Sequence, residues 1–288
     1  MKPSLSTLWQ EIGDLPHSVS YVNVGQWRTR VLSVGTGEDT IVLLAGTSGH
    51  LEAFTHNIRA LAQTHRVVAY DYPGHGFSTL AESNLEIPDY EEHLLGLLDA
   101  LKLERVHLCG ESLGGWIALK FAQSHASRVK TLILSAPGGR IVGQPAMSKG
   151  RSVTRDAVDN PTFENVKARL QVVIHEADLI TDELVRMRQA VYSRPGFARS
   201  VDHILALQNP EIRFRNRVTE ADYAAVAVPT LLVWTDHEPS GGVETGERLA
   251  SILHDGELLT IPNAAHWPQW EDPQSFNDRA VDFLARKG

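Results

Sequence analysis

The sequence predicts an α/β fold in which a mostly parallel, eight-stranded sheet is flanked by helices. Short, continuous apolar runs recur along the 288 residues, and such runs are typical of strands that are buried on both faces. Segments with helical spacing of apolar side chains lie between these runs. Because strands that alternate with helices form parallel sheets with right-handed crossovers, this order predicts the fold class.

The first two predicted strands form a hairpin. Residues 18–24 (SVSYVNV) and 27–34 (WRTRVLSV) alternate apolar and polar side chains around Gly25 and Gln26. This alternation is typical of a half-exposed antiparallel pair. The sheet is therefore expected to begin with this hairpin. The six predicted buried strands that follow begin at Thr40, His65, Arg105, Val129, Pro229 and Gly256.

The predicted helices fall into two groups. Pro88 marks the start of a helix that covers the sheet, because proline is favoured in the first helical turn. The apolar positions of this helix are Tyr90, Leu94, Leu97, Leu98 and Leu101. Residues 138–228 differ, since they are charged, lack a comparable apolar run and show helical spacing. We predict that they form a helical cap, or lid, inserted into a core of residues 1–137 and 229–288.

Composition excludes several classes of partner. The chain has 27 Lys and Arg against 35 Asp and Glu, a formal net charge of −8, and no basic cluster. Neither nucleic acid nor a membrane is therefore an expected partner, and no apolar stretch approaches the roughly 20 residues that cross a bilayer. Cys109, the single cysteine, fits a reducing compartment. We expect a soluble, cytoplasmic protein; the sequence leaves a homodimer or a larger homo-oligomer open.

A serine stands where a predicted strand meets the next predicted helix. Residues 110–114, GESLG, match the G-x-S-x-G nucleophile elbow, which requires this strand-to-helix context. The strained turn lifts the hydroxyl of Ser112 clear of the sheet, and glycines are needed where a Cβ would collide with neighbouring backbone. N–H groups at the start of the helix point to where negative charge develops on an attacked carbonyl. The motif predicts a serine nucleophile.

A serine hydroxyl is a weak nucleophile, so it needs a histidine base that a carboxylate orients. After this elbow the expected chain order is serine, acid, histidine. His266 lies directly after the last predicted strand, where a base could meet Ser112. The loop after the preceding strand, WTDHEPSGG, contains both Asp236 and Glu238. From the residues alone, either carboxylate can orient the imidazole.

Three motifs relate the chain to known enzymes. GESLGG at residues 110–115 and DYPGHG at residues 71–76 are shared across a superfamily, whereas HWPQWEDPQSFN at residues 266–277 is more selective because a tryptophan follows the histidine. Through these motifs nearly the whole chain resembles the α/β-hydrolases. More narrowly, it resembles the meta-cleavage product hydrolases, serine enzymes that split carbon–carbon bonds in ring-opened aromatic catabolites.

The resemblance implies a role for each member of a catalytic triad. Ser112 would be the nucleophile and His266 the base. Glu238 stands four places after Trp234, where the family has its aspartate, so the resemblance implies that it is the acid. Asp236 is the reserve candidate. The glutamate is one departure from the family pattern.

The resemblance also implies an oxyanion hole. The backbone N–H groups of Leu113 and of Thr47, in the loop that begins at Gly46, would bind the negative oxygen of the reaction intermediate. A second departure lies in this loop, because Ala45 occupies the place of the family's usual histidine. We expect this loop to face the elbow.

Four further residues are implied to bind the substrate. Arg188 matches the arginine that grips the substrate carboxylate, a task that suits a planar guanidinium, while Trp267 and Ser48 would line the pocket. Glu111 replaces the family's usual asparagine before the nucleophile. Its negative charge would disfavour an anionic substrate unless Arg188 or protonation offsets it.

These inferences predict a serine hydrolase of a 2-hydroxy-6-oxo-hexa-2,4-dienoate-type ring-fission product, a small molecule of aromatic catabolism. The alternative is a carboxylesterase or lactonase that uses the same triad. A third hypothesis is a ligand-binding protein that has kept the hydrolase fold. No cofactor and no metal are expected, because HEAD at residues 175–178 lacks the second histidine of a zinc motif at Leu179.

Overall fold

The computed structural model describes residues 6–141 and 144–288 and contains an eight-stranded sheet. Along the sheet the strand order is β1-β2-β4-β3-β5-β6-β7-β8. The first hairpin and the β2–β4 pair are antiparallel, and all other neighbours are parallel. The predicted fold class is confirmed. The strands are β1 (His17–Val24), β2 (Trp27–Val34), β3 (Thr40–Leu44), β4 (Arg66–Tyr70), β5 (Val106–Glu111), β6 (Val129–Ser135), β7 (Thr230–Thr235) and β8 (Gly256–Ile261).

The burial of β3, β5 and β7 agrees with the prediction, and that of β8 departs from it. Every residue of β3, β5 and β7 is buried, as their continuous apolar runs predict. The expectation that the run from Gly256 is buried on both faces is wrong. Only Ile261 of β8 is buried, because β8 is the edge strand and has one neighbour in the sheet.

Helices outside the interval between β6 and β7 cover the sheet. They are α1 (Leu8–Ile12), α2 (Thr55–Leu61), α3 (Ile87–Ala100) and α4 (Leu113–Ser124), and later α11 (Val243–Ile252), α12 (Pro268–Glu271) and α13 (Pro273–Lys287). Helix α3 begins as predicted, with Pro88 in its first turn and a capping box between Glu86 and Asp89. Short 3₁₀ helices lie at Leu51–Phe54, Ala126–Arg128, Ala177–Leu179 and Ala206–Gln208.

The described part of the interval between β6 and β7 contains helices and no strand, and we call it the helical insertion. Its helices are α5 (Gln144–Asp159), α6 (Phe163–Leu170), α7 (Asp182–Tyr192), α8 (Phe197–Ile204), α9 (Pro210–Asn216) and α10 (Glu220–Ala224). The boundaries of a separate cap at 138 and 228 remain a prediction. None of the helices in the described ranges has the length and apolarity needed to cross a bilayer.

Candidate active site

The turn at Ser112 has the backbone conformation of a nucleophile elbow. Ser112 has φ 53° and ψ −111° between β5 and α4, a region that costs a non-glycine residue roughly 1–3 kcal/mol. Its N–H donates to the Ser135 carbonyl at 3.0 Å. A Cβ on Gly110 would lie 2.3 Å from backbone atoms of Gly114, and one on Gly114 would lie 2.0 Å from the Leu44 carbonyl oxygen. Both glycines are therefore required by the close approach of backbones.

Three side chains from distant parts of the chain form one hydrogen-bonded row. Nε2 of His266 lies 2.8 Å from Oγ of Ser112, and Nδ1 lies 2.8 Å from Oε2 of Glu238. Because a carboxylate only accepts, Nδ1–H donates to Glu238, which leaves Nε2 to accept from the serine hydroxyl when the imidazole is neutral. The N–H of Ser240 donates to the other carboxylate oxygen of Glu238 at 3.0 Å.

Of the two candidate acids, Glu238 contacts the imidazole and Asp236 does not. Glu238 is buried, whereas Asp236 is exposed. Asp236 accepts from the N–H groups of Asn263 and Ala264 at 3.0 and 3.4 Å, and the hydrogen bond from Asn263 is the main cause that lowers its pKa. Asp236 therefore anchors the turn that leads to His266.

The protonation of His266 is set by opposing effects. Burial lowers its pKa, but the charge and hydrogen bond of Glu238 and the charge of Glu111 outweigh burial and raise the pKa to about 9. The imidazolium that forms when the serine loses its proton is thus stabilised by neighbouring carboxylates.

Glu111 is a second carboxyl group beside the imidazole. Its side chain is fully buried, and Oε1 lies 3.6 Å from Nε2 of His266. Neither oxygen has a hydrogen-bond partner among the described residues. Burial raises the pKa of Glu111 to about 7, against the lowering effect of the His266 and Arg188 charges. The carboxyl also packs on the predicted oxyanion loop, since a Cβ on Gly46 would lie 2.4 Å from its Oε2.

The predicted oxyanion residues line the same cavity as the nucleophile. Leu113 is the first residue of α4, and Gly46 and Thr47 follow β3. All three line the cavity together with Ser112. Ser48, predicted to bind substrate, is buried outside this lining, and its Oγ lies 3.2 Å from the hydroxyl of Tyr192.

Arg188 lies in the cavity wall, although arginine on a helix is usually solvated. It is 1 % exposed, and its Nε and Nη2 have no hydrogen-bond partner in the described part of the chain. Its guanidinium carbon lies 5.3 Å from the ring centroid of Trp267, which also lines the cavity. A ligand carboxylate can accept hydrogen bonds from these two buried nitrogens, which lack partners in the described part of the chain.

Sequence reasoning missed several residues of the site. Arg169 on α6 is also buried in the cavity wall, where Nε donates to Thr154 at 2.6 Å and Nη1 has no partner within the described ranges. Burial raises the pKa of Tyr192, but the charges of Arg188 and Arg169 outweigh it and lower that pKa. No sequence signal distinguishes Arg169, because an arginine on an amphipathic helix is ordinarily a solvated charge.

The cavity has a volume of about 620 Å³, within the usual range for small-molecule sites. A nucleophile, a base, a buried acid and two candidate oxyanion N–H groups thus meet at one small-molecule cavity. Of the predicted residues, those in its wall are Gly46, Thr47, Glu111, Ser112, Leu113, Arg188, Glu238, His266 and Trp267.

The sequence profile described as the alpha/beta hydrolase fold matches residues 39–273. The chain belongs to the α/β-hydrolase family. This match covers strands β3 to β8 and the whole of the helical insertion. It includes all three members of the hydrogen-bonded row.

Several relatives of this α/β-hydrolase have names that agree with the motifs at residues 266–277. A 2-hydroxy-6-oxononadienedioate/2-hydroxy-6-oxononatrienedioate hydrolase of Paraburkholderia phymatum is 30% identical over 279 residues, which cover 92% of this chain and 95% of the relative. An enzyme of the same name from Pseudomonas putida is 30% identical over 260 residues, with 87% and 89% covered. The chain is thus similar to meta-cleavage product hydrolases along most of its length.

Solved structures agree on the fold of this α/β-hydrolase. The meta-cleavage product hydrolase of Pseudomonas fluorescens superposes with a TM-score of 0.81 at 24% identity, covering 97% of this chain and 100% of that one. A 2-hydroxy-6-oxo-6-phenylhexa-2,4-dienoate hydrolase from Rhodococcus gives a TM-score of 0.81 at 19% identity, covering 94% and 99%. At these identities the likeness establishes the fold.

Proposed function

We propose that this α/β-hydrolase cleaves a carbon–carbon bond in a 2-hydroxy-6-oxo-hexa-2,4-dienoate-type ring-fission product. The observation that carries the proposal is the buried Arg188, with two N–H groups lacking partners among the described residues, in the cavity that contains Ser112. A simple ester hydrolase has no need of such a group, whereas a dienoate presents a carboxylate at one end. The names of the relatives support the same substrate class.

The proposed reaction has two stages, and both use His266. In the first, the dienol becomes a ketone as its hydroxyl loses a proton and the distal end of the diene gains one. His266, which lies 2.8 Å from Ser112, is the group placed to carry this proton. Ketone formation turns the carbon next to the remote carbonyl into part of a leaving group.

In the second stage Ser112, or a water that takes its place, adds to the remote carbonyl. His266 accepts the proton, and the backbone N–H groups of Leu113 and Thr47 bind the oxyanion. The carbon–carbon bond beside the carbonyl then breaks, and its electrons pass to the leaving fragment, which becomes a 2-hydroxypentadienoate. One water is consumed overall, and the acyl fragment leaves as a carboxylic acid. Glu238 keeps the imidazole oriented throughout.

Other parts of the proposal concern the protein as a whole. We propose that residues 138–228 act as a cap that closes one side of the cavity, since Arg169, Arg188 and other cavity residues belong to the helical insertion. A cytoplasmic location suits the single buried Cys109. Light scattering would distinguish a homodimer from a larger homo-oligomer.

Loss of the yellow dienolate absorbance on adding the enzyme tests the proposal directly. We expect turnover of ring-fission dienoates, and none with the Ser112→Ala variant. No loss of absorbance with several such dienoates would refute it. Faster hydrolysis of short nitrophenyl esters or lactones than of dienoates would instead support the carboxylesterase or lactonase alternative. Stoichiometric binding without turnover would indicate a ligand-binding protein.

A further inference from the structure

The backbone N–H groups of the catalytic histidine and of both its neighbours have hydrogen-bond acceptors. The N–H of His266 donates to the carbonyl oxygen of Val173 at 3.0 Å. The N–H groups of Ala265 and Trp267 donate to one oxygen of Glu271, Oε1, at 2.9 and 3.3 Å. A single carboxylate therefore holds the backbone on both sides of the catalytic imidazole.

The other oxygen of this carboxylate binds the helical insertion. Oε2 of Glu271 accepts from the N–H of His175 at 2.6 Å. His175 belongs to residues 171–181, which connect α6 to α7 and which we call the α6–α7 loop. Val173, whose carbonyl oxygen binds the N–H of His266, belongs to the same loop. Glu271 thus forms a second link between the two segments that the hydrogen bond from His266 to Val173 joins.

Two further contacts hold the α6–α7 loop against the segments that contain the triad. Nε1 of Trp270, in α12, donates to the carbonyl oxygen of Leu179 at 2.8 Å. The imidazole of His175 stacks on that of His237, with ring centroids 4.0 Å apart and an angle of 10° between the planes. His237 directly precedes Glu238. The loop therefore contacts the segment that follows the base as well as the segment that contains the acid.

The same loop joins the two helices that contain the buried arginines of the cavity. Arg169 lies on α6 and Arg188 lies on α7, and Val173 of the loop lines the cavity with them. Because the loop connects these helices, its attachment to His266 also restricts where the two guanidinium groups lie relative to the imidazole.

The triad requires such a restriction because proton transfer depends on short distances. Nε2 of His266 lies 2.8 Å from Oγ of Ser112, and Nδ1 lies 2.8 Å from Oε2 of Glu238, both within the range that general base catalysis needs. A displacement of about 1 Å can cost roughly 100-fold in rate. A residue that holds the backbone of His266 can therefore control the rate without contacting a substrate.

We propose that Glu271 is a positioning residue for the catalytic histidine. Its carboxylate holds the backbone around His266 against the α6–α7 loop, and so keeps the imidazole in a fixed position relative to the helices of Arg169 and Arg188. Glu271 is absent from the cavity lining, so its effect passes through His266. The inference goes beyond the proposed function, because it applies to any substrate that Ser112 attacks.

Glu271→Gln tests this role with little change in shape. Glutamine keeps one acceptor oxygen, but its NH₂ group only donates and would face a backbone N–H. The probe is diethyl 4-nitrophenyl phosphate, which transfers its phosphoryl group to an activated serine and releases coloured nitrophenolate. We expect the rate constant for phosphorylation of Ser112 to fall by about 10- to 100-fold. Glu271→Ala, which removes both acceptors, should lower it further. With a cleavable substrate the loss should appear in kcat, with KM changed by about threefold or less.

Asp272→Asn is the matched control. Asp272 is the next residue in the chain, and its carboxylate also accepts from a backbone N–H, that of Ser275 at 3.1 Å. Within the described ranges it forms no hydrogen bond to the α6–α7 loop or to residues 264–267, so its rate constant should match the wild type. A Glu271→Gln protein that reacts at the wild-type rate would overturn the proposal. A lower unfolding midpoint at that unchanged rate would assign Glu271 to stability alone.

Hydrogen exchange followed by mass spectrometry tests the coupling without any reaction. In Glu271→Gln, peptides that contain residues 264–267 and the α6–α7 loop should both exchange about tenfold faster than in the wild type, while β5 should be unchanged. Faster exchange at residues 264–267 alone would overturn the link to the insertion. If dienoates are not cleaved but Ser112 is phosphorylated, the proposed function fails and the role of Glu271 is still decided by these measurements. An unreactive Ser112 in the wild type would overturn both.

Discussion

Replacing Glu111 by glutamine should shift the pH dependence of the enzyme toward acid. The carboxyl lies 3.6 Å from Nε2 of His266 and is fully buried. Its own pKa is about 7, so it is ionised in the pH range where His266, with a pKa of about 9, loses its proton. A negative charge at this position holds the proton on the imidazole.

The size of the shift follows from the distance. At an effective dielectric constant of about 20, unit charges 3.6 Å apart interact by roughly 4–5 kcal/mol, which would be about three pKa units. That is an upper limit, because Glu238 is the larger cause of the rise from 6.5 to about 9. We expect Glu111→Gln to lower the pKa of His266 by roughly one to two units. At pH 7 the neutral, basic form of the imidazole should then be at least about tenfold more abundant.

The assay follows the imidazole directly. The His266 ring resonance is identified by its absence from the His266→Ala spectrum and titrated by proton NMR in both proteins, and kcat/KM is measured against pH with an uncharged nitrophenyl ester. The acid limb of kcat/KM should move to lower pH. Asp236→Asn is the control, because this exposed carboxylate does not contact the imidazole, and its profile should match the wild type. An unchanged or higher pKa of His266 in Glu111→Gln would refute the reasoning.

Four further outcomes follow from the assigned roles and from the packing at the elbow. Ser112→Ala should lower turnover by roughly 10⁴-fold or more without changing the thermal unfolding midpoint, and residual turnover near wild type would exclude a serine nucleophile. Glu238→Gln should reduce kcat far more than Asp236→Asn, and the reverse order in steady-state kinetics would reassign the acid. Arg188→Ala should raise KM for carboxylated substrates selectively, so an equal loss on neutral esters would remove its proposed role. Gly114→Ala should prevent folding, because its Cβ would lie 2.0 Å from the Leu44 carbonyl oxygen, and a soluble, folded variant by circular dichroism would contradict this.

The sequence predicted what depends on local pattern. Continuous apolar runs mark six of the eight strands, since burial on both faces leaves no place for polar side chains, and alternation of apolar and polar residues marks β1 and β2. The elbow was recognisable because its backbone positions admit only glycine around Ser112. The exposure of β8 was not predictable, since an edge strand and a central strand carry similar apolar runs and differ in their number of neighbours.

The local sequence pattern could not decide whether Asp236 or Glu238 is the acid that orients His266. Both belong to one loop, and the residues give no direction for either side chain. The structure separates them by their partners: backbone N–H groups near His266 hold Asp236, while the imidazole itself bonds to Glu238. Resemblance to the family pointed to Glu238 because this residue stands where the family has its aspartate. It could not supply the physical reason.

The arginines of the cavity wall were not predictable from the sequence, for a different reason. Arg140 and Arg213 lie in the helical insertion and its entry, where packing depends on contacts between elements distant in sequence. In the sequence each has the appearance of an ordinary solvated charge, whereas in the structure each is half-buried and lines the cavity.

Glu111 and the arginines are best understood together. A carboxyl group beside the nucleophile would by itself repel a dienolate and weaken its binding. Arg188, whose charge lowers the pKa of Glu111, stabilises that carboxylate in the empty cavity, but a bound substrate carboxylate would compete for the same guanidinium. Binding of an anion therefore weakens the support for a charged Glu111 and favours its protonation. Arg169 lies in the same wall, so a second guanidinium is present when the substrate carboxylate and Glu111 compete for Arg188. A chain with glutamate before its nucleophile therefore benefits from more than one buried arginine.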